Sequence, residues 1–103
     1  MHHHVSPDYT AVAHVLGAPT ITARTAPHLR GGTPDFGGLL VEAETMSGGE
    51  TLLVLIARDL WAAERTVGVV DLVRRLDAGS FARVVEAMRI ARGEAGSVHE
   101  LAA

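Results

Sequence analysis

Apolar side chains recur at helical spacing along most of this chain, and one stretch carries the pattern most strongly: Ser47–Arg65, SGGETLLVLIARDLWAAER. It opens on Ser47 and Glu50, the Ser-x-x-Glu of a capping box, in which each side chain bonds the other residue's backbone N–H. An unbroken apolar run follows, Leu52 to Ala57. A helix that is apolar nearly all round belongs in the middle of a fold. On a helical wheel Leu52, Leu55, Ile56, Leu60, Ala62 and Ala63 share one wide face, while Val54 and Trp61 lie on the other side. The pattern predicts an all-α protein: a small bundle of four to five short helices around a central apolar helix at about 49–65.

The flanking segments carry their own start and stop signals. Ser6-Pro7-Asp8-Tyr9 and Thr33-Pro34-Asp35-Phe36 both read hydroxyl, proline, acid, aromatic. Each predicts a helix start with a Ser or Thr N-cap, Pro at the first helical position and Asp at the positive end of the dipole. Val5, Tyr9, Val12 and Leu16 continue the first helix, and Gly17 ends it. Phe36, Leu40, Ala43 and Met46 continue the second, with Gly37 and Gly38 weakening it; a short strand over 39–46 is the alternative. Between them, 18–32 contains Pro19, Pro27 and Gly31-Gly32 and reads as a long loop, a candidate contact segment, with an extended piece at 20–24. Later come a helix over about 67–76 with Val69, Leu72, Val73 and Leu76 as its apolar stripe, a turn at Asp77–Ser80, and a helix over about 81–92. In the last of these, Phe81, Val84, Val85, Met88 and Ala91 point inward and Gly93 closes the helix. Residues 6–93 form one domain, with a disordered terminus or tag remnant at 1–5 and a flexible tail over 94–103.

Composition narrows the chemistry. The chain has 103 residues and no Cys, which removes disulfides, thiolate catalysis and Cys-based zinc sites. Lys, Asn and Gln are also missing, so all nine basic side chains are Arg. This balance resembles that of small proteins from GC-rich bacteria and their phages; selection against lysine modification is the other reading. Net charge is −3, unevenly spread: residues 58–92 hold seven Arg against five acids, too weak a basic bias to argue nucleic acid alone. The start lacks a secretory leader's basic and apolar regions, and no apolar run approaches a membrane span, so a cytoplasmic location without membrane partners is expected.

Candidate chemistry is sparse. His14, His28 and His99 stand apart, with no second ligand at helical spacing, and no glycine-rich phosphate loop or nucleophile elbow occurs. No catalytic residue, cofactor or metal is expected. Asp59 falls inside the wide apolar face and needs a partner there; Arg74, Arg75 or a helix N-terminus are the candidates. Val54 and Trp61, with Ile90 on the outer side of the last helix, form a candidate contact patch for a second subunit or another protein. The leading expectation is a non-enzymatic interaction or self-assembling module, most simply a homodimer. The alternative is a small DNA-binding regulator, with a helix-turn-helix-like 67–92 segment that presents Arg83 and Arg89 to the groove and Arg74 and Arg75 to phosphates.

Overall fold

The computed structural model describes residues 6–94, and among them every regular element is helical. The order is α1 (Pro7–Leu16), α2 (Thr22–Thr25), a 3₁₀ segment (Ala26–Gly32), α3 (Phe36–Ala43), α4 (Gly48–Ala62), α5 (Val69–Arg75) and α6 (Ala78–Ala91). The expected all-α bundle is what forms. The terminus at 1–5 and the tail at 95–103, with His2–His4, Val5 and His99, lie outside the described residues.

Local capping chemistry sets the helix starts. The Ser6 hydroxyl accepts from Tyr9 N at 3.0 Å and opens α1. At α4 the capping box is complete: Ser47 Oγ accepts from Glu50 N, and Glu50 Oε1 accepts from Ser47 N. Asp77 Oδ1 accepts from Ser80 N at 2.7 Å and starts α6 at Ala78, so the predicted turn residues are already its first turn. The α3 start differs from expectation. Its N-cap is Asp35, whose Oδ1 accepts from Gly38 N, and Pro34 sits buried just ahead of the helix. A carboxylate at this position caps as well as a hydroxyl does, so Thr33 is not needed for the role.

The core is aliphatic. Val12, Val15 and Leu16 of α1 meet Leu52, Leu53, Val54, Ile56 and Ala57 of α4 and Val84, Ala87 and Ile90 of α6. The most extensive contacts are those of α1 with α6 and with α4; α4 also touches α3 and α5. The centre is thus shared between α4 and α1. The 18–32 segment is helical for most of its length and holds no extended piece at 20–24. Ile21 is fully buried, and the buried Thr25 hydroxyl donates to the Leu16 carbonyl at 2.6 Å, folding the segment back onto the end of α1. The 39–46 strand alternative also falls: 39–43 complete α3, and 44–46 turn toward the α4 cap.

Candidate interaction surface

The residues expected to form a contact patch are mostly interior. Val54 is completely buried and Ile90 is 5% exposed, so neither lies on a surface. A wheel gives relative angles but not the direction of the core; α4 is covered on both sides, and α6 turns its Val84–Ala87–Ile90 face to α1. Trp61 is half-buried, edge-to-face with Tyr9 of α1 at a centroid distance of 6.4 Å. It closes one end of the core as the T-shaped partner of Tyr9.

Asp59 is partnered, though not by Arg74 or Arg75. Its Oδ2 accepts from the backbone N–H groups of Thr66 and Val67 at 2.9 and 2.8 Å, so one carboxylate oxygen ties down the α4–α5 connection. Asp59 Oδ1 and the neighbouring Arg58 Nε are buried without hydrogen-bond partners, while Arg58 Nη2 donates to Thr66 Oγ1 at 2.7 Å. This tether explains why α4 stops at Ala62 rather than at Arg65. The backbone at Ala63 turns left-handed (φ 56°, ψ 37°) to bring 64–67 back over Asp59.

Of the four candidate nucleic-acid residues, Arg83 is engaged within the fold and the other three are exposed. Arg83 Nη1 donates to the His14 carbonyl at 2.8 Å, binding α6 to the last turn of α1, where a cation is favoured by the helix dipole. Burial, and next the Arg83 guanidinium, hold His14 below the ordinary imidazole value. Arg75 pairs with Asp71 at 3.5 Å within α5. Arg74 is exposed on α5 and Arg89 on α6. The main contact of α5 is with α4, not with α6 in a two-helix unit.

What the surface does present is α5. None of its residues is buried, and Val69, Val70 and Val73 are 74%, 64% and 66% exposed. Only Leu72 and Leu76 of the expected stripe turn inward to partial burial; Val69 and Val73 face out. Leu72 is also one wall of a cleft of about 300 Å³ between α4, α5 and α6, whose other walls include Ile56, Leu60, Val67 and Met88. The helix that carries the valine ridge therefore also borders a hollow, whose lining includes Asp59, Glu64 and Arg65 beside the apolar walls. A second hollow of about 160 Å³ runs between the starts of α4 and α6. Its acidic side chains, Glu50 and Asp77, are engaged in capping their own helices. Among the described residues no three His, Asp or Glu side chains converge as metal ligands would, and no helix is long and apolar enough to cross a membrane.

No protein-family model matches the chain, and neither a curated protein nor a solved structure matches it.

Proposed function

We propose that this chain is a non-enzymatic association module whose contact element is α5 and whose partner is a second copy of itself. The observation that carries the reading is the exposed Val69–Val70–Val73 ridge on a helix none of whose residues is fully buried. Contiguous apolar surface of this kind marks interaction sites, whereas scattered exposed residues need no explanation. The choice of a second copy rests on shape. The ridge lies on α5, and Leu72 of the same helix lines the neighbouring cleft, so a two-fold contact, which requires one patch that complements itself, could use both. Duplex binding is left aside, since Arg83 is spent on α1 and no observation gathers the remaining arginines.

Light scattering behind a sizing column, at two protein concentrations and two salts, tests this. The expected result is a mass above that of the 10.8 kDa monomer, rising with concentration and persisting in high salt as an apolar contact does. A monomer's mass at every concentration overturns the self-association.

A further inference from the structure

His28 lies in the 3₁₀ segment with its ring between two carboxylates. Nδ1 is 3.3 Å from Asp35 Oδ2 and Nε2 is 3.2 Å from Glu42 Oε2. Only an imidazolium donates from both nitrogens; a neutral ring turns one lone pair toward a carboxylate. The ring rests directly on the backbone of α3. A methyl group on Gly38 would come within 2.5 Å of His28 Cε1 and Nδ1 and of Asp35 Oδ2, so this close approach requires glycine there. That accounts for a glycine inside a helix, where it is otherwise costly.

We propose that His28 is a protonation-dependent latch: the doubly protonated ring ties the Ala26–Gly32 turn to α3 at both Asp35 and Glu42, and loss of one ring proton releases one of the two ties. The surrounding groups allow release without collapse. Asp35 keeps its capping bond to Gly38 N, and Glu42 Oε1 keeps Arg24 Nε of α2 at 3.1 Å. Tyr9 of α1 still donates its hydroxyl proton to the Leu29 carbonyl, and Arg30 points to solvent. The backbone that the latch controls has its own reporter, since Asp35 N–H donates to the His28 carbonyl at 2.8 Å across the closed turn. Asp35 is held below the ordinary aspartate value first by Gly38 N–H and then by His28; Glu42 is held below the glutamate value first by His28 and then by Arg24.

Hydrogen exchange of the Asp35 amide, followed by NMR and corrected for intrinsic rates, tests the latch between about pH 5.5 and 8.5. Protection should fall by about two- to fivefold toward high pH, the worth of one solvent-facing ion pair. The fall should vanish in His28→Gln, which separates it from the titration of other histidines. It should vanish too in Gly38→Ala, whose methyl group displaces the ring and Asp35 Oδ2 from one another without changing charge. Unchanged protection across the range in the natural chain, or an undiminished fall in either variant, overturns the latch.

Discussion

Val54 and Val41 are the same side chain in opposite circumstances, the first completely buried in α4 and the second 63% exposed on α3. Replacing Val54 by Ala should cost about 1.5–3 kcal/mol, from lost burial and the cavity left behind. Val41→Ala should stay within about 0.5 kcal/mol. Urea unfolding midpoints of the two variants check the contrast. Protonation acts at the same scale. His14 has its folded value lowered by burial and by Arg83, so the unfolded chain binds the proton more readily; stability is complete above the ordinary 6.5 and declines as pH falls through it. Asp35 and Glu42 are lowered as well, so their contribution is present above the ordinary carboxylate range and lost below it. Thermal melts of His28→Gln, which removes the opposing gain at the latch, should therefore show two downward steps on acidification, the first below pH 6.5 and the second below about pH 4. The first should be absent in His14→Leu.

The elements differ in what ends them, and this decides how much could be read from the chain. Ser6, Ser47 and Asp77 cap helices through bonds to residues three places on, so their signals are complete within four letters of sequence. Gly93 closes α6 in the same local way. It is left-handed at φ 89°, with its N–H on the Ile90 carbonyl and Glu94 N–H on that of Arg89, the Schellman pattern. The 26–32 turn was illegible because distant groups hold it: Tyr9, Asp35 and Glu42. The end of α4 depended likewise on where Asp59 finds donors, seven and eight residues later. That end also stores strain, because Ala63 is the non-glycine residue with positive φ among those described. Ala63→Gly should raise stability by about 1 kcal/mol, read as a higher urea midpoint with unchanged helical content.

At the scale of the whole molecule, α1, α4 and α6 share one aliphatic core, while α5 stands on its rim with valines turned to solvent. The sequence pattern located the apolar stripe of α5 but not its partner. Leu72 and Leu76 take the little cover that α4 offers, and Val69, Val70 and Val73 are left over. Val54, Trp61 and Ile90, assigned outward by the wheel, are drawn inward because three helices compete for the same apolar faces. The surface for association therefore shifts from α4 and α6 to α5, while the expectation of self-association stands as the proposal.

Sedimentation velocity on the natural chain, Val73→Asp and Val41→Asp tests that proposal most directly. Both valines are exposed, so both variants should keep the far-UV circular dichroism of the natural chain. The account predicts that Val73→Asp sediments as a monomer at concentrations where the natural chain and Val41→Asp are associated. A folded Val73→Asp that associates as strongly as the natural chain would contradict it.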